Sequence, residues 1–366
     1  MRILHIITNL GDGGTEKVLY NICKHDVANQ HIVICLKDSG KYFLLLKKIG
    51  TEVYFIKMEL FSIYKFFYLI KILRSLRPDV VQTWLPHADF IGGLAARLAG
   101  INRVVWNIRY SNLNGVVKLR TIFLINILSK LSRFIPKMII VVSKSALKNC
   151  KDLGYCSEKL RLIQNGYDLS IFKPFKKKIF IRKKFKIEKN THVIGSVARY
   201  DSTKDHKNLL NSLSIVKKNK IKFFCVLIGS NINNKNLVKE IKKLELSSYI
   251  KLIAKCNDVS KYMKEMDIHI LSSKTEGFPN VVAESMACGT PCIVTNVGDS
   301  ALIVGKTGWI VPPKNSIKLA NAIEKALSEI GKKNWKKRCD QARLRVKNNF
   351  GISKMIKSYN IIWSKL

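Results

Sequence analysis

Two carboxylates, Glu276 and Glu284, stand with seven residues between them in the stretch Thr275–Pro291, TEGFPNVVAESMACGTP. Gly277, Phe278 and Pro279 read as a turn, and Val281–Met286 has the composition of a helix start. Each helical residue turns about 100°, so Glu284 lies one turn inside the helix while Glu276 precedes it on a loop. Between them, the backbone N–H groups of Asn280, Val281 and Val282 are donors that a helix N-terminus leaves without intrahelical partners. That end also carries about half a positive charge. Such an arrangement can hold a phosphate with a carboxylate on either side of it. It is equally the pattern of a capped surface helix with acidic residues in its first turn.

A second pair of chemistry-bearing residues, Arg199 and Lys204, flanks the polar loop in ARYDSTKDHKNLLNSL, between a strand at Val193–Ala198 and a helix. Two cations at a loop and helix start offer charge-assisted donors to a diphosphate, or are solvated charges in a Lys-rich chain. Gly229 ends a strand at Phe223–Gly229, where backbone can approach a ligand closely. Gly13 and Gly14 close a glycine loop between a strand at Arg2–Thr8 and a helix at Glu16–Lys24, the opening of a doubly wound α/β domain. The loop is not G-x-G-x-x-G, which disfavours a nicotinamide cofactor. His87 is expected on the loop after a strand at Asp79–Thr83, and Arg109 at the end of a strand at Arg103–Ile108.

A chain of 366 residues, 47% hydrophobic, implies two domains, each with its own core. Net charge is +40, carried mostly by Lys scattered along the chain. A nucleic-acid reader would cluster Arg with interleaved aromatics; an anionic membrane surface suits scattered Lys, and coding bias toward Lys contributes. The helical stretches Ser62–Leu76 and Leu119–Ile135 mix long apolar side chains with Lys65, Lys71, Arg74, Lys118, Arg120, Lys130 and Arg133. That is the composition of helices able to lie among lipid headgroups, although their apolar faces also suit packing on a sheet. Nine cysteines without C-x-x-C pairs point to a reducing, cytosolic compartment. The N-terminal MRILHIITNL reads as a buried strand rather than a signal peptide, and no apolar run is long enough to span a bilayer.

The Glu-x7-Glu segment resembles the signature of retaining glycosyltransferases of the GT-B fold, specifically glycosyltransferase family 4. Its continuation through Ala-Cys-Gly-Thr-Pro into a strand at Cys292–Thr295 is similar as well. So are the Arg and Lys five residues apart at Arg199 and Lys204, Gly13-Gly14-Thr15-Glu16, and the Asn-Gly turn within Leu162–Pro174. Where the family commonly has a His, this chain has Arg109-Tyr110-Ser111-Asn112, resembling a subgroup that acts on bacterial surface polysaccharides. Arg109 could then bind an anionic group of the acceptor.

The resemblance implies an α/β fold of two Rossmann-like domains facing across a cleft, with a C-terminal helix crossing back to the first domain. The expected boundaries are 1–172 for an acceptor domain, 173–190 for a basic linker, 191–349 for a nucleotide-sugar domain and 350–366 for the returning helix. Donor would be held at Gly13, Gly14, Gly229, Asn280, Val281, Val282 and Glu284, with Glu284 on the ribose and Glu276 on the transferred sugar. Arg199, Lys204 and the amides near Asn280 would stabilise the leaving diphosphate without a metal ion, in keeping with the lack of an Asp-x-Asp motif. His87 and Arg109 would face acceptor or donor sugar. The implied reaction moves a sugar, from a UDP-linked donor, to a lipid-linked saccharide on the cytoplasmic face of the plasma membrane. The alternatives are a sugar-nucleotide epimerase of the same fold and a basic nucleic-acid-binding protein.

Overall fold

A computed structural model of the chain describes residues 1–58, 62–109, 119–175, 179–254, 256 and 258–366. Tyr110, Ser111, Asn112 and Lys118, named above, lie outside the described residues. The first elements are β1 (Arg2–Asn9), α1 (Gly14–His25), β2 (Gln30–Asp38), α2 (Lys41–Lys48), β3 (Glu52–Phe55), α3 (Ile63–Leu76) and β4 (Val80–Trp84). They continue with α4 (Pro86–Leu98), β5 (Val104–Ile108), α5 (Leu119–Leu131), β6 (Met138–Val141), α6 (Lys144–Asp152) and β7 (Leu160–Leu162). Then come α7 (Phe180–Lys184), β8 (His192–Val197), α8 (His206–Lys218), β9 (Phe223–Ile228), α9 (Lys235–Lys243), β10 (Ile250–Ile253) and α10 (Val259–Met263). The chain closes with β11 (Ile268–Leu271), α11 (Asn280–Ala287), β12 (Cys292–Thr295), α12 (Ser300–Val304), β13 (Trp309–Val311), α13 (Ser316–Glu329), α14 (Lys333–Phe350) and α15 (Ile352–Ser364). These make two compact units, Met1–Gly166 with Ile352–Leu366, and Tyr167–Gly351.

Among the described residues the first unit has a parallel sheet in the order β3-β2-β1-β4-β5-β6-β7. Its central strands are covered on both faces, so VVQTW of β4 and VVWNI of β5 are buried throughout and do not alternate. Leu69 and Leu73 of α3, Ala95 of α4, Ile125 of α5 and Ala146 of α6 pack in one cluster with Val81 and Trp106. Val18 of α1 and Leu46 of α2 join the other cluster, with Met355, Ile356, Tyr359, Ile362 and Trp363 of α15. The C-terminal helix thus crosses back into the first unit. Its Trp363 indole N–H donates to Gln82 Oε1 at 2.8 Å, and each large apolar side chain it buries contributes about 1.5–3 kcal/mol. Phe350, which the apolar spacing groups with this helix, instead ends α14 in the second unit. There its ring stands edge-on to Phe278, centroids 5.5 Å apart. Helix α4 lies close on the sheet because a Cβ at Gly92 would meet Ile6 at 3.0 Å and one at Gly93 would meet the Trp106 indole nitrogen at 2.8 Å.

The second unit has a parallel sheet ordered β10-β9-β8-β11-β12-β13. The basic segment expected as a linker carries α7, whose Ile181 is fully buried among Val193, Val226 and Tyr262. Glu265 accepts from the amides of Ile179 and Ile181 at 3.1 and 3.2 Å, holding the start of that helix.

Open α/β sheets bind ligands beyond the carboxyl ends of their strands, where strand order reverses. The reversal falls between β1 and β4 in the first unit and between β8 and β11 in the second.

Candidate functional site

In the second unit the loops leaving β8 and β11 carry the residues singled out from the sequence. Lys204, at the end of the β8 loop, places its Nζ 2.6 Å from Glu276 Oε1 on the β11 loop. Ser273 donates to the same carboxylate oxygen at 2.7 Å. The loops are also tied through their backbones: Lys274 N–H donates to Thr203 O at 2.7 Å, and Ser272 Oγ to Lys204 O at 2.9 Å. Glu276 and Lys204 therefore stand at one point fixed from both sides. Arg199 reaches Asp201, an ion pair on the more exposed rim of the β8 loop. Burial pushes the Asp201 carboxyl up, but hydrogen bonds from Thr203 and Arg199 outweigh it and hold the group at about 2.

Behind Glu276 the chain is crowded. Gly298 has φ +54°, and a Cβ there would collide with the carbonyl oxygens of Glu276 and Gly277. Asp299 N–H donates to Gly277 O at 2.9 Å, so the turn after β12 clamps the glutamate's loop from below. Helix α11 follows. It is no surface helix: Val282–Ala287 is buried throughout, and Glu284 is 5% exposed. A carboxylate there costs several kcal/mol unless polar or charged partners meet it. The amide of Val282, counted above among the phosphate donors, donates to Pro279 O at 3.2 Å. That correction narrows the donor reading to Asn280 and Val281. The Asn280 side chain accepts from the Tyr167 hydroxyl at 2.7 Å. Gly229 is needed by the protein's own backbone, since a Cβ there would strike the Ala198 carbonyl, and its amide donates to Ile253 O at 3.1 Å.

In the first unit Gly13 caps α1 in extended conformation and Gly14 is its first residue. The Glu16 carboxylate folds back over Gly13, filling the space a Cβ would take. Burial, with Asp12 adding, raises that carboxyl above its ordinary range. His87 is not on a loop: α4 begins at Pro86, whose fixed φ suits the first helical position, and His87 lies in the first turn. Burial and the charge of Lys37 lower its pKa. The preceding Leu85 has φ +76° and ψ 154°, a conformation costing a β-carbon residue about 1–3 kcal/mol. Strain at the strand-order reversal is a site feature the sequence did not signal. Arg109 has internal partners. It donates to Asn165 and, at 3.0 Å, to the Tyr359 hydroxyl of α15, with its guanidinium 5.0 Å from the centroid of the Trp84 ring. Nearby, a buried chain runs from Trp84 Nε1 to His5 Nδ1 (3.2 Å), His5 Nε2 to His31 Nδ1 (3.0 Å) and His31 Nε2 to Asp26 (3.1 Å). The indole can only donate, so each imidazole receives at Nδ1 and passes on a proton from Nε2.

Two family models divide the chain between them. Residues 12–171 match Glycosyltransferase Family 4, and residues 177–342 match Glycosyl transferases group 1. The chain belongs to the glycosyltransferases these two domains define. The UDP-Gal:alpha-D-GlcNAc-diphosphoundecaprenol alpha-1,3-galactosyltransferase of Escherichia coli is 23% identical over 295 residues, 79% of this chain and 76% of that one. From Campylobacter jejuni, N,N'-diacetylbacillosaminyl-diphospho-undecaprenol alpha-1,3-N-acetylgalactosaminyltransferase is 29% identical over 273 residues, 71% of this chain and 69% of that one. The crystal structure of Anabaena HepE, in complex with UDP and glucose, superposes with a TM-score of 0.88 over all of both chains at 20% identity. The fold is therefore that of the GT-B enzymes, built from two parallel-sheet Rossmann-like units.

Proposed function

We propose that the chain transfers a hexose, with retained anomeric configuration, from a UDP-linked donor to a lipid-linked saccharide during assembly of a bacterial surface polysaccharide. The observation that carries this reading is the Lys204–Glu276 pair, held 2.6 Å apart by the two loops at the second unit's strand-order reversal. A diphosphate there draws on Lys204 and Arg199, and Glu276 exchanges its ion pair for hydroxyls of the sugar. Glu284, further along α11, takes the ribose. Negative charge grows on the leaving diphosphate as the glycosidic bond breaks, and one preorganised donor aimed at it is worth about 3 kcal/mol. Two cations and a helix start supply such donors without a divalent ion, so chelation with EDTA is expected to leave turnover unchanged. The donor and acceptor classes are supported by the names of the Escherichia coli and Campylobacter relatives and by the UDP in the HepE crystals.

The test is incubation of the protein with a panel of nucleotide sugars and an undecaprenyl-diphosphate-linked sugar. Release of UDP from one UDP-hexose, stimulated by the lipid-linked acceptor and unaffected by EDTA, is expected. Release from none of the panel, or a product in which the sugar is epimerised and not transferred, would overturn the reading.

A further inference from the structure

The buried chain of bonds from Trp84 to Asp26 has two ends in different surroundings. Its imidazoles lie on neighbouring strands, His5 on β1 and His31 on β2, stacked with centroids 5.2 Å apart. Trp363 of α15 covers both, its ring centroid 6.1 Å from that of His5 and 5.8 Å from that of His31. His5 is fully buried, and the His31 side chain is 3% exposed. At the outer end Asp26 also accepts from the Ala28 amide at 3.2 Å, from Asn29 Nδ2 at 2.8 Å and from Asn360 Nδ2 at 3.2 Å. Asn29 and Asn360 line a hollow of about 560 Å³ between the end of α1 and α15, with Met1, His25 and Lys357 around it. Ala28 and Lys357 on its rim are exposed, so water reaches the edge of the Asp26 cluster.

At the inner end Trp84 closes β4 where the strand order reverses. Its ring lies under the Arg109 guanidinium and stacks on Tyr359 of α15, ring centroids 6.4 Å apart. Leu85 with its positive φ comes next, and α4 with His87 follows. The bond from the Trp84 indole to His5 therefore fixes the ring on which Arg109 rests, beside the strained residue.

One added proton reverses the chain. His31 meets His5 from β1, and Cys23 and Asp26 from α1 and its end. Uncharged Trp363 comes from α15, and Glu52 of β3 pairs with Ile32, one residue on, and accepts from the Tyr54 hydroxyl. Burial pushes the Cys23 thiol up. Burial also pushes the Asp26 carboxyl up, but hydrogen bonds from His31, Asn29 and Asn360 outweigh it and hold the group at about 2. Burial and the neighbouring His31 hold His5 well below its ordinary value. As pH falls, the proton therefore enters at His31, whose two nitrogens are then both donors. Its Nε2–H stays on the Asp26 carboxylate, while its Nδ1 now points a hydrogen at His5 Nε2, which carries one as well. His5 is closed in by Trp84, His31 and Trp363. It meets the charged donor by carrying its own proton at Nδ1 instead, where it faces the indole N–H. A charge-assisted hydrogen bond is roughly twice as strong as a neutral one. The 3.0 Å bond between the imidazoles is thus kept, and the 3.2 Å bond from Trp84 is given up.

We propose that His5 and His31 form an acid-sensitive switch, in which a proton taken up at His31 releases the Trp84 indole and with it the end of β4 and the seat of Arg109. The outer end senses pH through the hollow beside Asp26, and the output is the loop at the first unit's strand-order reversal. Only an effect of that loop on sugar transfer rests on the proposed function; the switch itself does not. A metal ion suits these groups less well. Cys23 Sγ and ring nitrogens of His5 and His31 lie within 4.8 Å of one another, but a metal needs the lone pair of His5 Nε2, and that nitrogen carries the proton for as long as Trp84 donates to Nδ1.

Nitrogen-15 NMR of protein labelled at His and Trp tests it between about pH 8 and pH 5, a window that spans the ordinary histidine value of about 6.5. At the alkaline end His5 is expected to carry its proton on Nε2, with His31 neutral. Toward acid, with circular dichroism showing the fold retained, His31 is expected to gain its proton and His5 to move its own to Nδ1. The Trp84 indole resonance is expected to shift with the same midpoint, and further than those of Trp106, Trp309 and Trp335. His31→Gln is expected to abolish the Trp84 shift. Asp26→Asn, which removes the opposite charge, is expected to lower the midpoint of that shift by at least about one pH unit. A Trp84 resonance that stays in place while His31 titrates, a His31 ring still neutral at about pH 5, or an undiminished shift in His31→Gln would each overturn the proposal. So would an unchanged midpoint in Asp26→Asn, or binding of one equivalent of Zn²⁺ at neutral pH that displaces both imidazole signals. Turnover of nucleotide sugars at the same pH values separates the two readings: its absence at every pH would count against the transferase and not against the switch.

Discussion

The two units share a doubly wound plan but partner their charges to different degrees. In the second, cations on the loops at the strand-order reversal are met by carboxylates: Lys204 by Glu276, Arg199 by Asp201, and Lys274 by Asp205 at 3.5 Å. In the first, Lys41 meets Asp12 at 3.1 Å, but residues 60–151 hold only Asp79 and Asp89 as acids, and Arg109 is taken up by Asn165 and Tyr359. The contrast bears on where the proposed donor would be held. Under the proposed function the donor diphosphate meets loops whose charged side chains are already paired and held in place. In the proposed reaction the donor's own negative charge and hydroxyls separate Lys204 from Glu276.

The largest effects should come from breaking the second unit's pairing. Glu276→Ala is expected to lower sugar transfer by at least about a hundredfold while leaving nucleoside diphosphate affinity nearly unchanged. Glu284→Ala is expected to weaken nucleoside diphosphate binding by about tenfold or more, the scale of one lost charged hydrogen bond. Titration calorimetry on both variants reads the difference, and the reverse pattern would exchange the two roles.

Acid should destabilise both units. Burial holds His206 at about 4 and His269 at about 3 in the second, and burial with the neighbouring His31 holds His5 well below its usual value in the first. In the unfolded chain each would titrate near 6.5. Stability is therefore full above that pH and falls as pH drops through the window down to about 4, by about 1.4 kcal/mol per pH unit for each histidine. A thermal midpoint several degrees lower at pH 5 than at pH 7.5 is expected; an unchanged midpoint would show that these histidines take up protons in the folded state.

Tyr359→Phe should have a smaller effect. It removes the hydroxyl that accepts from Asn107 at 2.8 Å and from Arg109, a loss of about 1–2 kcal/mol in the first unit. Nucleoside diphosphate affinity should not move. If it does, the donor also depends on the first unit's network.

The sequence made the fold readable where burial leaves long apolar runs. Strands such as Ile250–Ile253, Ile268–Leu271 and Cys292–Thr295 stand where their composition places them. It also indicated Lys204 and Glu276, since their types and their places after strands suit the chemistry. It did not show that the two touch, because 72 residues separate them and the contact depends on which strands neighbour β8. His87 stands in the first turn of a helix rather than on a loop because Pro86, two residues after β4, already starts α4. The segment 173–190 looked like a linker because its lysines outnumber its apolar residues. Lys184 nevertheless places its Nζ over the rings of Phe180 and Phe185, 5.4 and 5.6 Å from their centroids, and donates to the Tyr262 hydroxyl at 2.9 Å. Phe350 shares the helical spacing of α15, and only the break at Gly351 assigns it to the other unit.

The central claim is that the leaving diphosphate is stabilised at the second unit's strand-order reversal. Its most direct measurement is the turnover number of Lys204→Ala at saturating donor, with nucleoside diphosphate release as the readout. A fall of at least about tenfold is expected, since a charged hydrogen bond to the developing charge is worth about 1.5–3 kcal/mol. Turnover equal to that of the wild type would contradict it.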